Sequence, residues 1–335
     1  MIARVDSFDH LAPSLRGGVV AIGNFDGVHR GHQAVLQTAR AKADEVEQKF
    51  GKCPCVALTF EPHPRTLFQP DVVLSRITPA EMKARVLAEL GFDAVVELPF
   101  TRAFAGQTAD QFIDAVLLKG LGARHVVTGF DFHFGKNRQG GPAFLMEQGA
   151  LAGFKVTLVD AFRDEGAEVI SSSRIRQSLH SADLAQANAL LGYRYRVAGT
   201  VSKGKQLGRT LGYPTANIQL PDDTALAHGI YAVRFITSDG VIRDGVASFG
   251  KRPTVDTDGA PLLETYVFDF DGDLYGSHCT VILCSYLRGE LKFDDLDALT
   301  VQMKHDEAEA RAVLADLKPL SPLDATLTFG MADGR

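Results

Sequence analysis

Cysteine, excess positive charge and long apolar runs are all scarce in these 335 residues, and each scarcity removes a class of protein. Of the four cysteines, Cys53 and Cys55 flank a single proline, the wrong spacing for a metal knuckle, while Cys279 and Cys284 fall in an apolar, strand-like run. This argues against a zinc centre and for reduced thiols used in packing. Lys and Arg number 35 against 41 Asp and Glu, giving a net charge of −6, and the isoelectric point is about 5.9. Binding along a phosphate backbone needs clustered excess cation, so no nucleic-acid partner is expected and small molecules are. No stretch reaches membrane-spanning length, and Met1 to His10 holds no basic segment leading into an apolar one. A soluble cytoplasmic protein without membrane partners is the expectation. Also missing is any G-x-x-x-x-G-K-[ST] run, which excludes a P-loop kinase.

What is present is ample apolar sequence for two cores, 45% hydrophobic against 23% charged. Apolar strands are predicted at 18–23, 55–60, 94–98, 124–129 and 154–159, alternating with amphipathic helices at 31–49, 79–90, 108–119 and 142–152. Thr78, Pro79 and Glu81 have the spacing of a helix cap with a back-reaching carboxylate, and Gly91 and Gly120 stand where helices should stop. Such alternation implies a doubly wound parallel α/β sheet with ligands at the carboxyl ends of its strands. Two short helices are expected over 171–192. From Tyr195 to Arg288 the pattern changes to short strands with period-two alternation and turns such as Asp239-Gly240, the texture of an antiparallel β-barrel. A terminal helix at about 294–317 should pack on it, and the tail after Leu320 carries no motif. The division is placed at 1–187 and 188–335.

Three stretches carry chemistry. In Gly23-Asn24-Phe25-Asp26-Gly27-Val28-His29-Arg30-Gly31-His32 a strand runs into a glycine-rich turn and then a helix, so free backbone N–H groups and the imidazoles of His29 and His32 surround an anion site. Ser171-Ser172-Ser173-Arg174-Ile175-Arg176 supplies hydroxyls at a helix start and a cation one turn in, a pattern that also serves as a plain cap. Transfer of a nucleotidyl group needs fixed donors around the phosphates rather than a protein nucleophile, which these two stretches could provide. The third runs from Gly204 to Asn217 and is rich in glycine and cations. Thr215 and Asn217 there face the same way in an extended segment and could share one hard cation. Glu264, in a strand with apolar neighbours, is either a general base for a hydroxyl or an outward-facing strand residue.

Taken together, the motifs resemble the bifunctional bacterial riboflavin kinase/FAD synthetase family. They occur in its order: GNFDGVHRGH at 23–32, TFEPHP at 59–64, GFDFHFGKNRQG at 129–140, ISSSRIR at 170–176, GKQLGRTLGYPTAN at 204–217, GIYAV at 229–233, FGKRPT at 249–254, FDFDGDLYG at 268–276 and YLRGELKF at 286–293. The resemblance implies a nucleotidyltransferase-like N-terminal FMN adenylyltransferase (FAD synthetase) domain followed by a riboflavin kinase barrel. The barrel would phosphorylate riboflavin to FMN with ATP and Mg²⁺, releasing ADP, and the first domain would adenylylate FMN to FAD, releasing pyrophosphate. His29, His32 and Arg176 would then act on ATP at the first site, where Gly23, Asn24, Phe25, Gly27, Gly31 and Ser172 bind phosphate and Asp131 lies near nucleotide and flavin. Gly204, Lys205, Gly208 and Arg209 would bind ATP at the second, with Thr215 and Asn217 on Mg²⁺, Glu264 as base, and Arg288 and Glu290 on the flavin side.

The chemistry of the two acceptors agrees with this assignment. An FMN phosphate, with a second pKa of about 6, is already an anionic nucleophile at neutral pH and needs no base. A ribityl hydroxyl needs one, and Glu264 is the available carboxylate. Two positions depart from the family pattern: Ser248 where many members have Asn, and Tyr266 where many have His. They are the support for an alternative in which a nucleotidyltransferase carries a degenerate barrel that senses flavin without phosphorylating it. The intact Thr215, Asn217 and Glu264 oppose that alternative. No feature of the sequence specifies an oligomeric state.

Overall fold

Val19–Ile22 is buried along its whole length, and so, apart from its last residue, is Cys55–Glu61. Continuous rather than alternating burial means that both faces are covered, as in a parallel sheet wrapped by helices. The computed structural model, which describes residues 2–203, 211–251 and 260–331, has that sheet. Its strands are β1 (Ala3–Val5), β2 (Val19–Ile22), β3 (Cys55–Glu61), β4 (Ala94–Pro99), β5 (His125–Gly129) and β6 (Lys155–Val159), all parallel and ordered β1-β4-β3-β2-β5-β6. The chain winds outward from β2 through β3 to β4, then returns to place β5 on the other side of β2. The winding direction therefore reverses between β2 and β5, and the carboxyl end of such a reversal is where an open α/β sheet binds its ligand.

The crossover helices are α1 (Arg30–Phe50), α2 (Pro64–Phe68), α3 (Ala80–Glu89), α4 (Arg102–Ala105), α5 (Ala109–Phe112, widening into a π-helical stretch over Ile113–Gly120) and α6 (Pro142–Ala152). The short α2 and α4 and the edge strand β1 lie below the length at which periodicity is legible. Thr78 does not cap α3 as its spacing predicts: Pro79 occupies the cap position without a side-chain bond. The helical stretch does end at Gly120, as expected, and the left-handed residue comes just after it, Gly122 at φ +58°.

The chain divides into two units, one of residues 1–74 with 78–171 and one of 75–77 with 172–335. The sequence pattern changes near 192, whereas packing changes at 171/172. The reason is that α7 (Ser172–His180) and α8 (Leu184–Leu191) pack with the barrel. In α8, Asn188 Nδ2 donates to the Leu283 carbonyl at 3.2 Å and its Oδ1 accepts from the Tyr195 N–H at 2.8 Å.

The second unit is a closed antiparallel barrel of β7 (Arg196–Ser202), β8 (Thr215–Gln219), β9 (Gly229–Ile236), β10 (Ile242–Lys251), β11 (Pro261–Val267) and β12 (His278–Arg288), ordered β10-β11-β8-β7-β12-β9. Each strand thus has a neighbour on both sides, β7 meeting β8 at Val201 and Ser202. Helix α9 (Leu296–Ala315) covers part of the outer face, where Ala310 and Leu314 pack against Ala232 and Phe268. A last helix, α10 (Pro322–Phe329), was not expected from the sequence. Its fully buried Asp324 accepts from the Arg194 guanidinium and N–H, from Thr328 Oγ1 and from the Leu320 N–H. Four donors on one carboxylate offset the cost of taking it out of water.

Candidate active sites

The turn between β2 and α1 is held from two sides. Gly23 donates its N–H to the Leu58 carbonyl at 3.1 Å. Thr78 reaches across instead of capping α3: its Oγ1 accepts from the Gly27 N–H at 2.8 Å, and its own N–H donates to Oδ1 of the buried Asp26 at 3.1 Å. On the other side the Asn24 carbonyl accepts from Thr59 Oγ1 at 3.1 Å and from Lys83 Nζ at 3.4 Å. These anchors hold backbone that is otherwise unfavourable, with Phe25 at φ +49° and the β-branched Val28 at φ +38°. Gly27, at φ +90°, occupies a conformation that a side chain would disfavour.

The N–H groups of this turn can be followed one by one. Those of Gly23 and Gly27 are bonded as above, Val28 bonds to the Phe25 carbonyl and Gln33 to the His29 carbonyl. Among the described residues no hydrogen bond uses the N–H groups of Asn24, Phe25, Arg30 or Gly31. Unbonded N–H groups at the start of a 21-residue helix make an anion site.

His29 is itself the cap of α1, its Nδ1 accepting from the His32 N–H at 3.2 Å. With Nδ1 so used, the neutral ring carries its proton on Nε2. The two imidazoles stack, centroids 3.6 Å apart and planes 16° apart, and Phe25 meets His32 edge-on at 5.5 Å. A Cβ on Gly31 would stand 3.1 Å from His29 Cε1, so glycine leaves room for the stack. Although the residue keeps partial solvent access, burial of its ring drives His32 well below the ordinary imidazole value, and the charges of His29, Lys83 and His63 push the same way. His32 Nδ1 is shut off from solvent and has no hydrogen-bond partner among the described residues. His32 is therefore a neutral imidazole at pH 7 rather than a cation.

Asp131, exposed, follows β5 at the same carboxyl edge of the sheet, beside Gly129, Phe130 and His133, whose Nδ1 lies 2.8 Å from the Asp131 carbonyl. Ser172 opens α7 in the second unit, where Arg176 Nε donates to the Ser75 carbonyl at 2.6 Å. A cavity of about 790 Å³, lined in part by Val19, His125 and Lys155 where β2, β5 and β6 begin, opens at the opposite edge of the sheet and involves none of these residues.

In the barrel, alternation along β11 buries Leu263, Thr265 and Val267 inside and leaves Leu262, Glu264 and Tyr266 half-exposed on the outer face. Register makes a row of the sequence-selected residues: Ser202 lies opposite Asn217, Asn217 opposite Glu264, and Glu264 opposite Ser248. Directly opposed residues on adjacent strands project to the same face, so Glu264 and Asn217 are neighbours. Thr215 lies opposite Tyr266 one step along, and Thr215 Oγ1 donates to Asn217 Oδ1 at 3.4 Å. Both departures from the family pattern, Ser248 and Tyr266, thus adjoin this row. Arg288 is engaged by α9, its Nε and Nη2 donating to Asp306 at 2.8 and 2.5 Å, and the exposed Glu290 faces His228 Nδ1 at 3.8 Å. Gly204, Lys205, Gly208 and Arg209 lie outside the described residues.

Sequence reasoning missed Thr59, Thr78 and Lys83 as supports of the turn. For Lys83 a signal existed: it stands among Met82, Val86 and Leu87 on the apolar stripe of α3, where a lysine is out of place.

The chain matches the family description FAD synthetase over residues 11–174 and riboflavin kinase over 191–314. It is 42% identical over 311 residues to the bifunctional riboflavin kinase/FMN adenylyltransferase of Pseudomonas fluorescens, covering 93% of this chain and 97% of the relative. To the protein of that name from Escherichia coli K12 it is 40% identical over 303 residues, 90% of this chain and 95% of the relative. A solved structure described as a macrolide-efflux protein from Streptococcus pneumoniae superimposes with a TM-score of 0.79 at 31% identity, covering 92% of this chain and 98% of its own. No helix among the described residues is long and apolar enough to cross a membrane. Two domain matches in the same order, with relatives aligned nearly end to end, place this chain in the family of bifunctional riboflavin kinase/FMN adenylyltransferases.

Proposed function

We propose that the barrel transfers the γ-phosphoryl group of ATP to riboflavin, and that the N-terminal unit transfers the adenylyl group of a second ATP to the FMN so formed. The observation that carries this reading is a contrast. The barrel sets a carboxylate, Glu264, beside Asn217, while the β2–α1 turn offers N–H donors and the stacked rings of His29 and a neutral His32.

In the barrel, Glu264 accepts the proton of the ribityl 5′-hydroxyl as its oxygen bonds to the γ-phosphorus, and ADP leaves with the electrons of the broken P–O bond. Thr215 and Asn217 would hold Mg²⁺: their two oxygens, 3.4 Å apart on one strand face, are the hard donors such a cation takes. When bound, the ion neutralises phosphate charge. Gly204, Lys205, Gly208 and Arg209 bind ATP. Arg288 and Glu290 serve the flavin side, Arg288 with its guanidinium already oriented by Asp306.

At the turn, an FMN phosphate oxygen attacks the α-phosphorus and pyrophosphate departs. His29 and His32 donate to oxygens that gain charge in this step, together with the N–H groups of the turn. Gly23, Asn24, Phe25, Gly27 and Gly31 form the phosphate cradle; Ser172 and Arg176 act on the phosphates, and Asp131 contacts nucleotide and flavin. A cytoplasmic location fits four unpaired cysteines. The thiols of Cys55 and Cys284, pushed up to about 12 by burial, stay protonated.

Incubation of the purified protein with riboflavin, ATP and Mg²⁺, followed by chromatography, should yield FMN and FAD. Appearance of neither overturns the reading; FAD from supplied FMN but none from riboflavin supports a barrel that only senses flavin.

A further inference from the structure

Lys83 is 0% exposed. A buried ammonium needs oxygen partners for its three donors, and Nζ has Glu61 Oε1 at 2.8 Å, Thr59 Oγ1 at 3.1 Å and the Asn24 carbonyl at 3.4 Å. Glu61 ends β3, while Asn24 stands at the tip of the turn after β2. Thr59 donates to the same Asn24 carbonyl, so two donors draw one peptide oxygen towards the protein interior. In a trans peptide the C=O and the following N–H point in opposite directions. An inward Asn24 carbonyl therefore sends the Phe25 N–H outward, and that N–H has no partner among the described residues.

Packing alone gives no reason for a lysine here. Its neighbours on α3, Met82, Val86 and Leu87, are apolar and buried, and replacing a buried ion pair by apolar groups of similar volume is often neutral or stabilising.

We propose that Lys83 is a positioning residue for adenylyl transfer: by holding the Asn24 carbonyl inward it aims the Phe25 N–H at the phosphates of ATP. Thr59 is its auxiliary. This rests on the turn being the ATP site of the N-terminal unit.

The test uses the full-length protein and steady-state FMN adenylylation, with riboflavin phosphorylation by the barrel as an internal control. K83M keeps the aliphatic stem and removes the ammonium; T59V removes one donor and leaves the charge. The expected results are a rise in KM for ATP of about tenfold or more in K83M and about threefold in T59V, with KM for FMN changed less than about twofold. Partial unfolding would instead reduce the active fraction, lowering kcat and leaving KM for ATP unchanged. An unchanged KM for ATP in folded K83M overturns the proposal, and if K83M does not fold, an unchanged KM in T59V does so. The His29→Ala/His32→Ala double variant separates the two levels. If it adenylylates FMN normally, the turn is not the ATP site; if it fails while K83M and T59V keep the wild-type KM, only the role of Lys83 is refuted.

Discussion

On the site assignment proposed above, the two units handle phosphate with opposite equipment. The first presents backbone N–H groups and stacked imidazoles, with its strong charges, Lys83 and Asp26, turned inward and bonded. The second lines hydroxyl, amide and carboxylate side chains across adjacent strands on the outside of a barrel. The difference follows from the acceptors. A phosphate monoester arrives already ionised, so its site needs donors that stabilise charge; an alcohol must lose a proton, so its site needs a base. One chain carries two solutions because the two substrates pose different problems.

The largest expected effect breaks the comparison on the barrel side. Glu264→Gln should lower riboflavin phosphorylation about 10³-fold or more, within the range for loss of a general base, while FMN adenylylation measured on supplied FMN stays near wild type. On the sheet side, the His29→Ala/His32→Ala variant should lower adenylylation about 10²- to 10³-fold, the scale of losing charge-stabilising donors, and leave phosphorylation intact. Loss of both activities from either folded variant would mean that the sites are not separate.

A third substitution concerns stability. Asp324→Ala strands the buried Arg194, and breaking a buried pair costs about 3–5 kcal/mol. Denaturant unfolding should show that loss in the barrel transition, and a change below about 1 kcal/mol would mean that α10 is dispensable. A smaller effect belongs to the turn. Because His32 is depressed in the folded protein, its contribution to stability is fully present above about pH 6.5, the unfolded imidazole value, and declines as pH falls from there towards the folded value. His32→Gln should therefore flatten the fall in stability between pH 7.5 and 5; an unaltered pH dependence would contradict a neutral His32. The smallest effect is expected from Ser248→Asn beside Glu264, less than about threefold in phosphorylation.

Much of this was legible in the sequence because it is encoded locally. The runs at Val19–Ile22 and Cys55–Glu61 are apolar because both faces of their sheet are covered, and the glycines of the β2–α1 turn mark backbone that must bend. What was not legible depends on distant residues. Thr78 has the spacing of a cap, yet bonds Gly27, 51 residues away. The row from Ser202 to Ser248 exists only through register among four strands. Helices α7 and α8 precede the change in sequence texture but pack with the barrel that follows it, a tertiary preference that composition does not carry. For α10, Ser321 and Pro322 were a usable signal: Ser321 Oγ accepts from the Asp324 N–H at 3.1 Å, the bond such a cap predicts.

The most direct test of two separate sites is complementation. Glu264→Gln protein and His29→Ala/His32→Ala protein are incubated with riboflavin, ATP and Mg²⁺, alone and mixed, and the flavins are resolved by chromatography. The first should leave riboflavin unchanged, the second should stop at FMN, and the mixture should make FAD. FAD from either variant alone, or none from the mixture, would contradict the account.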